Sequence, residues 1–211
     1  MSNLNGFDRL ARFYDPLKRV IFGKSIDDAQ RCFLNMLPVE GNILVLGGGS
    51  GNILVALLEM RPGCSIWYID ASSEMILRAA ALVSDDFRHK VSFIHGTEEA
   101  IPQDVGFDGV ITNFFLDLFP DHSLAAICQT IERRLKSGAT WLISDFVDGR
   151  KWWQRVLLRL MYRFFVITCD IEARRLPNWE DHIRKAGMEA NGSRFFYNGF
   201  IKSCVYRKST L

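Results

Sequence analysis

The sequence predicts an α/β protein whose sheet is mostly parallel, ends in an antiparallel hairpin and carries helices on both faces. Short apolar runs that are typical of buried strands alternate with segments whose apolar residues recur at helical spacing. Near the end of the chain, two strand-like segments flank Asn198-Gly199, a dipeptide that is typical of a tight hairpin. Together these patterns indicate right-handed βαβ crossovers followed by a hairpin.

The predicted elements follow one another in a regular order. Strands are expected at 42–47, 65–70, 90–95, 107–113 and 139–145, with helices at 52–60, 72–82 and 122–135. Ser72 or Ser73 can cap the second of these helices, and Gly138 acts as a stop signal for the third. A short helix follows Glu180 and runs to Ala186, and the hairpin strands span 194–197 and 200–206. Residues 5–37 look helical, and we expect them to lie over the carboxyl edge of the sheet.

The composition is that of one globular domain. The chain has 211 residues, of which 48% are hydrophobic and 24% charged, and this excludes wholesale disorder. A formal net charge of +2 argues against a generic polyanion binder, so no nucleic acid is expected as a partner. No Pro/Gly/Ser-rich linker divides the chain, so we predict a single domain over 1–211, with an N-terminal helical cap at 1–38 and an inserted helical segment at 149–176.

Several other classes of protein are disfavoured. The first residues contain neither a basic nor an apolar signal region, so we expect a cytoplasmic protein. The stretch 156–168 is interrupted by Arg159 and Arg163 and is too short to span a bilayer. The four histidines and five cysteines show neither HxxxH nor CxxC spacing, which predicts neither a metal site nor a disulfide framework.

A glycine-rich loop joins the first strand to the first helix, where an open α/β sheet presents helix N–H groups to a ligand. A P-loop is excluded because the loop lacks a lysine, and the dinucleotide pattern GxGxxG requires a glycine where the chain has Asn52. The spacing GxGxG fits without exception at Gly47, Gly49 and Gly51. Glycines suit this place because side chains would block the approach of a ligand to the backbone.

A carboxylate lies where a ribose would need it. Asp70 ends the second strand, 19 residues beyond Gly51, and a carboxylate there can accept hydrogen bonds from both hydroxyls of a ribose. Together the loop and Asp70 predict a ligand that contains adenosine. The competing interpretation is that Asp70 begins the turn 70–73 and caps the helix that follows.

At this point the chain resembles the class I S-adenosylmethionine-dependent methyltransferases. The matching motifs are ILVLGGGSG at 43–51, YIDASSEM at 68–75, GTEEAIP at 96–102, FDGVITN at 107–113 and LKSGA at 135–139. More loosely, FDRLA at 7–11 and FYD at 13–15 are similar to the start of the methyltransferases that modify ubiquinone and menaquinone precursors. The resemblance implies a Rossmann-like, seven-stranded sheet and S-adenosyl-L-methionine as cofactor.

The resemblance also implies a role for individual residues. The loop glycines would pass the methionyl part of the cofactor, Asp70 would hold the ribose, and Asn113 would lie near the reactive sulfonium. The whole cofactor site implied in this way comprises Tyr14, Gly47, Gly49, Gly51, Asp70, Ala71, Met75, Thr97, Glu98 and Asn113.

Two positions depart from the family pattern. The acidic residue usual two places before the first glycine is Val45, and the acidic residue usual after the glycine that follows strand three is Thr97. We hypothesise that Asp15 and Glu98 substitute for them.

Candidate general bases lie beyond the fourth and fifth strands. They are Asp117, His122 and Asp145, and a base is required only when the acceptor atom carries a proton that must leave. The competing interpretation for Asp117 and His122 is that they cap the next helix.

Residues 150–169 (RKWWQRVLLRLMYRFFVITC) contain five cations and no acid. Lys151, Arg155, Arg159 and Arg163 recur every four residues beside a broad apolar side. Three interpretations stay open: an interfacial helix on an anionic membrane through 150–166, an apolar lid over the substrate, and a connecting helix that packs on the sheet or on a second subunit of a homodimer.

The sequence therefore predicts a methyltransferase for a small, hydrophobic or aromatic acceptor, acting by in-line methyl transfer. The alternatives are an NAD(P)-dependent Rossmann oxidoreductase, which Asn52 disfavours, and a catalytically silent scaffold that binds a cofactor or a membrane.

Overall fold

The computed structural model of the chain describes residues 19–149, 151–169 and 173–210, and within them seven strands form one sheet. The sheet order is β3-β2-β1-β4-β5-β7-β6. All pairs from β3 to β5 are parallel, while β7 is antiparallel to β5 and β6 on its two sides. The strands are β1 (Glu40–Leu46), β2 (Gly63–Asp70), β3 (Val91–His95), β4 (Phe107–Asn113), β5 (Leu135–Phe146), β6 (Met188–Phe196) and β7 (Ile201–Lys208).

Within the described ranges, seven α-helices lie between and around these strands. Residues 19–22 are also helical, and single 3₁₀ turns occur at Leu34–Met36, Glu98–Ala100, Leu116–Leu118 and Tyr197–Gly199. The helices are α1 (Ser25–Arg31), α2 (Asn52–Met60), α3 (Ser73–Leu82), α4 (Asp85–Arg88), α5 (Asp121–Arg134), α6 (Trp152–Cys169) and α7 (Trp179–Lys185).

Alternation along the buried strands fills a core on each face of the sheet. In β1, Ile43 and Val45 join the cluster that contains residues of α2 and α3. Leu44 and Leu46 point the other way and join the cluster that contains residues of α5 and α7. Because both faces are covered, the strands read as continuous apolar runs. The predicted α/β fold, with a mostly parallel sheet, a closing antiparallel hairpin and helices on both faces, is confirmed.

A third apolar cluster joins the N-terminal helices to α6. Phe22, Phe146, Phe200, Leu158 and Tyr162 all belong to it. In α1 the carbonyl oxygen of Ala29 accepts hydrogen bonds from the hydroxyls of Ser144 in β5 and Ser203 in β7, at 3.0 and 2.9 Å. The described part of the N-terminal region therefore packs on β5 and β7, and residues 1–18 of the predicted cap lie outside the described residues.

The predicted helix 122–135 agrees with α5 to within one residue at each end, but its predicted stop signal is wrong, and β5 and β6 begin earlier than the predicted 139 and 194. Gly138 does not stop the helix, because α5 ends at Arg134 and β5 begins at Leu135. The Nζ of Lys208 in β7 donates to the carbonyls of Glu132 and Leu135 at 2.9 and 2.8 Å, so a lysine satisfies the helix end. Gly138 instead has φ of +73° and lies where the pairing of β4 with β5 shifts register.

Candidate functional site

The predicted ligand-binding residues meet at the carboxyl edge of the central strands. Leu46, the last residue of β1, is in register with Ile69 of β2 and with Thr112 of β4. The next residues along these three strands are Gly47, Asp70 and Asn113. A ligand at this edge therefore meets the loop glycines, the carboxylate and the amide together.

The backbone of the loop after β1 has a left-handed conformation that favours glycine. Gly47, Gly49 and Gly51 all have positive φ, at +63°, +66° and +94°. A Cβ on Gly51 would lie 2.7 Å from the Cα of Ala79 in α3. The backbone of α3 would have to shift to make room for it. The loop is thus packed tightly against α3 at its helical end.

Gly49 is different, because a Cβ there would meet no atom within 4 Å. Its N–H donates to Oδ2 of Asp70 at 2.8 Å, and its carbonyl accepts from the hydroxyl of Tyr68 at 2.8 Å. The backbone at Gly49 is therefore fixed from one side and open on the other. Sequence reasoning missed Tyr68, whose only signal is its place in β2 behind the loop.

Asp70 joins the glycine loop to the turn after β2. Its Oδ1 accepts from the N–H of Ser72 at 2.9 Å while Oδ2 holds Gly49, and the residue is 8% exposed. The cap of α3 is Ser72, whose Oγ accepts from the N–H of Met75 at 3.2 Å. A carboxylate offers about four lone-pair sites, so a group of this kind can accept hydrogen bonds from backbone and from a ligand at the same time.

The remaining predicted cofactor residues surround this edge. Met75 is buried in the first turn of α3, and the carbonyl of Ala71 contacts Nε2 of His95 at 3.0 Å. Thr97 is the N-cap of the turn Glu98–Ala100, and both Thr97 and Glu98 are half-buried. Tyr14 lies outside the described residues.

Asn113 carries a buried donor that the protein leaves unpaired. The residue is 8% exposed, and its Nδ2 has no hydrogen-bond partner among the described residues. A buried donor without an acceptor is unfavourable by about 1–3 kcal/mol, so its position at this edge favours a ligand that brings an acceptor. The open side at Gly49, the lone pairs of Asp70 and this amide together fit a ligand that contains a ribose and polar groups.

The two departures from the family pattern have different surroundings. Val45 is 1% exposed and packs in the core with Ile43, so its side chain does not line the edge. Of the two hypothesised substitutes, Glu98 lies beside the edge and Asp15 is outside the described residues. The substitution itself stays a prediction.

A buried pair of carboxyl groups lies beyond β4 and β5. Asp145 is fully buried; its Oδ2 accepts from the N–H groups of Leu116 and Asp117 at 3.1 and 3.2 Å, and its Oδ1 accepts from Phe146 at 2.8 Å. Asp117 is 5% exposed, and its Oδ1 has no hydrogen-bond partner in the part of the chain that the structure describes. Asp145 therefore fixes the turn 116–118 to the end of β5.

Burial is the largest influence on the pKa values of Asp117 and Asp145. It raises the pKa of Asp117 to about 7, while a hydrogen bond with Asp145 acts in the opposite direction. Burial and then the nearby Asp117 raise the pKa of Asp145 well above its ordinary value. Two carboxyl groups this close favour sharing one proton over both being ionised.

Tyr162 of α6 packs beside the carboxyl pair of Asp117 and Asp145, and sequence reasoning missed it. Its hydroxyl donates to the carbonyl of Asp117 at 3.1 Å, and burial raises its pKa. His122, the third predicted base, is exposed in the first turn of α5. The adjacent Asp121 contacts Nε2 of His182 at 3.2 Å. The structure thus brings Asp117 and Asp145 together and places His122 at the surface.

A cavity of about 620 Å³ opens between the end of β5, α6 and the segment that leads into α7. Its apolar lining includes Phe146, Leu158, Tyr162 and Trp179, and four arginines also line it: Arg155, Arg159, Arg174 and Arg175. Of these, Arg155 lies 3.9 Å from Asp148 and Arg175 lies 3.8 Å from Asp121. The cavity combines an apolar wall with a charged rim in which four arginines outnumber two acidic residues, Asp148 and Glu180.

Comparison with known proteins shows a similarity to methyltransferases. Residues 43–138 match the family model described as "Methyltransferase domain". The fold is similar, over 100% of this chain and 99% of the other, to the putative methyltransferase solved with the Trm112 activator of Haloferax volcanii (TM-score 0.72, 20% identity). The fold is therefore that of the class I S-adenosylmethionine-dependent methyltransferases, and residues 43–138 are similar to the methyltransferase domain.

Two further proteins to which the chain is similar are larger. The malonyl-[acyl-carrier protein] O-methyltransferase of Priestia megaterium is 28% identical over 143 residues, which are 68% of this chain and 50% of the relative. The human N-acetylserotonin methyltransferase, solved with S-adenosylmethionine, has a TM-score of 0.64 at 19% identity over 95% of this chain and 56% of its own. The chain thus spans about half the length of these two relatives.

Proposed function

We propose that this methyltransferase binds S-adenosyl-L-methionine at the carboxyl edge of β1, β2 and β4 and methylates a small acceptor with an apolar body. The observation that carries the proposal is the loop residue Gly49, whose backbone is held by Asp70 and Tyr68 on one side and is open on the other. The match of residues 43–138 to the methyltransferase domain supports this cofactor over the dinucleotide of the alternative oxidoreductase.

Each residue at the edge has a role in binding. The carboxylate of Asp70 accepts hydrogen bonds from the two ribose hydroxyls, and the open side of Gly49 admits the methionyl part close to the backbone. Met75 packs near the adenosine, Thr97 and Glu98 flank the adenine, and the Nδ2 of Asn113 donates to the bound ligand.

The bound cofactor supplies a methyl group that its sulfonium already activates. The protein therefore contributes mainly alignment, by holding the acceptor atom in line with the carbon and sulfur atoms. Asp117 is the candidate base for an acceptor that loses a proton, because a pKa of about 7 suits a proton acceptor near neutral pH. Asp145 is a positioning residue, since its carboxylate holds the N–H groups on both sides of Asp117.

The cavity beside α6 is the proposed acceptor site. Phe146, Leu158 and Trp179 offer apolar and aromatic contacts, and Tyr162 links the cavity wall to the carbonyl of Asp117. A volume of about 620 Å³ lies within the range of small-molecule sites. The arginine rim suits an acceptor that carries a carboxylate or phosphate beside its apolar part.

Location in the cytoplasm stays a prediction from the N-terminal residues.

Calorimetric titration with S-adenosylhomocysteine tests the cofactor site. In Gly49→Ala the new methyl group would occupy the open side of the loop, so we expect binding at least about tenfold weaker than in the wild type. Gly187→Ala is the matched control, because Gly187 also has positive φ (+84°) and open space around its Cβ. No binding by the wild type at millimolar ligand, or equal binding by both variants, would contradict the proposed site.

The acceptor class needs a separate experiment. Transfer of a labelled methyl group would be measured over a panel of aromatic, aliphatic and polar acceptors, each in neutral and anionic forms. We expect apolar acceptors to be methylated and anionic forms to be preferred, with the preference reduced in Arg159→Ala. Turnover of small polar acceptors alone would refute the apolar acceptor while leaving the cofactor site intact.

A further inference from the structure

The outward face of α6 has an unusual composition for a helix in contact with water. The exposed residues between 152 and 168 are three arginines and four large apolar residues: Arg155, Arg159, Arg163, Trp152, Val156, Leu160 and Ile167. Four of the ten large apolar residues that are exposed in the described part of the chain lie on this one helix. Trp152, Ile167 and Leu160 are 77%, 74% and 61% exposed. Such a concentration marks an interaction surface rather than scattered exposure.

The helix cannot turn this face inward, because its opposite face is anchored. Gln154 is fully buried, and its Nε2 donates to the carbonyl of Asn198 at 3.3 Å. Leu158 and Tyr162 are 8% and 7% exposed, and Tyr162 holds the carbonyl of Asp117. The outer apolar side chains are therefore presented to whatever lies outside the protein.

The two kinds of residue lead at opposite edges of this face. At 3.6 residues per turn, the seven exposed residues fall within an arc of about 140°, with Arg155 and Arg159 at one edge. Val156, Ile167 and Leu160 lie at the other edge, and Trp152 and Arg163 lie between. The apolar row from Trp152 to Ile167 extends for about 22 Å along the helix. This pattern is typical of a helix that lies in the plane of a membrane interface.

We propose that α6 docks the protein on an anionic lipid surface, with Trp152, Val156, Leu160 and Ile167 inserted among the acyl chains and the arginines against the headgroups. The helix does not cross the bilayer: no helix in the described ranges 19–149, 151–169 and 173–210 is long and apolar enough to do so. This inference goes beyond the proposed methyl transfer and does not depend on it.

Charge decides between a lipid surface and a second copy of the chain. Residues 151–169 contain no acidic side chain, so two copies meeting through α6 would bring three arginines of each against the other. The nearby Asp148 lies 3.9 Å from Arg155 of the same chain. An anionic membrane offers both an acyl layer for the apolar row and negative headgroups for the arginines.

Sedimentation of the full chain with vesicles tests the proposal. We would compare phosphatidylcholine vesicles with vesicles that contain about one third phosphatidylglycerol, at low and high salt. Each cation near such a surface strengthens binding about fivefold. Binding to the anionic vesicles should therefore be more than tenfold tighter than binding to the phosphatidylcholine vesicles, and it should weaken as salt rises. Arg163→Glu and the double variant Leu160→Ser/Ile167→Ser should each bind at least about tenfold more weakly.

Matched controls come from exposed residues elsewhere. Arg133→Glu on α5 changes the same charge, and Leu77→Ser/Leu82→Ser on α3 removes two leucines that are 66% and 49% exposed. Both should bind vesicles like the wild type.

The proposal is overturned if the folded wild type stays in the supernatant with anionic vesicles, or if the α6 and control variants bind equally. A dimer that forms without lipid and is dispersed by Leu160→Ser/Ile167→Ser, with no vesicle binding, would show that a second copy covers this face instead. Titration of the cofactor in the same samples reports separately on the proposed function.

Discussion

Replacing Asp117 with asparagine removes one titrating group from the buried pair and keeps the shape of the side chain. In the folded protein burial raises the pKa of Asp117 to about 7, from an ordinary value of 3.8. The folded state therefore binds more protons than the unfolded state between these two values. The stability that comes from the protonated Asp117 is fully present below pH ~3.8 and is lost as the pH rises through about 7.

The linkage between protonation and folding gives the size of this effect. Stability falls by about 1.4 kcal/mol for each pH unit between the two pKa values, and the slope flattens above the higher one. Raising the pH from 5 to 8 should therefore destabilise the wild type by about 2–3 kcal/mol through Asp117 alone. Asparagine stays neutral and can still donate to Asp145. We expect D117N to be about 2 kcal/mol more stable than the wild type at pH 5 and about 4 kcal/mol more stable at pH 8, so that its advantage grows by about 2–3 kcal/mol over this interval.

Urea denaturation followed by tryptophan fluorescence at several pH values between 5 and 8 measures this difference directly. Asp104→Asn provides the control, because Asp104 is exposed and the substitution makes the same chemical change at the surface. Its stability should follow the wild type at every pH. If the curves for D117N and the wild type run parallel between pH 5 and 8, the proton is not held at Asp117 and the reasoning fails.

Three other substitutions test the packing that shapes the site. Gly51→Ala places a Cβ 2.7 Å from the Cα of Ala79 at a φ of +94°, so we expect a loss of about 3 kcal/mol or more and a melting temperature lower by roughly 6–12 °C in a thermal scan. Asp145→Ala leaves three buried N–H groups without their acceptor and should cost about 3 kcal/mol or more in urea denaturation; a loss below about 1 kcal/mol would contradict its positioning role. Tyr162→Phe removes one hydrogen bond to the carbonyl of Asp117 and should cost about 1 kcal/mol in the same assay, and an unchanged stability would show that this hydrogen bond contributes nothing.

Much of the fold could be predicted because its signals are local. Buried parallel strands are apolar on both faces, so β1, β2, β3 and β4 read as short runs whose predicted positions lie within two residues of those observed. The glycine loop and Asp70 were found because a close approach to backbone and a carboxylate at a strand end each require a particular residue type. Asn198-Gly199 located the hairpin for the same reason, and Asn198 has a φ of +56°.

The features that escaped prediction depend on contacts between distant parts of the chain. The end of α5 is satisfied by Lys208, more than 70 residues away in sequence, and so Gly138 was misread as its stop signal. Asp117 and Asp145 share a buried site only when β5 is in place. The hydroxyl of Tyr162 reaches the carbonyl of Asp117 only when α6 has packed as well. No spacing in the sequence indicates that these side chains meet.

The position of β7 has a consequence for the order in which the molecule can be made. This strand follows both of its neighbours in the sequence, yet it lies between them and pairs with β5 on one side and β6 on the other. Until residues 201–208 have left the ribosome, β5 presents an open edge of unpaired backbone groups, which is a template for pairing with other chains. The sheet therefore becomes continuous only when β7 is inserted, and some other part of the protein or a chaperone must cover the edge of β5 until then.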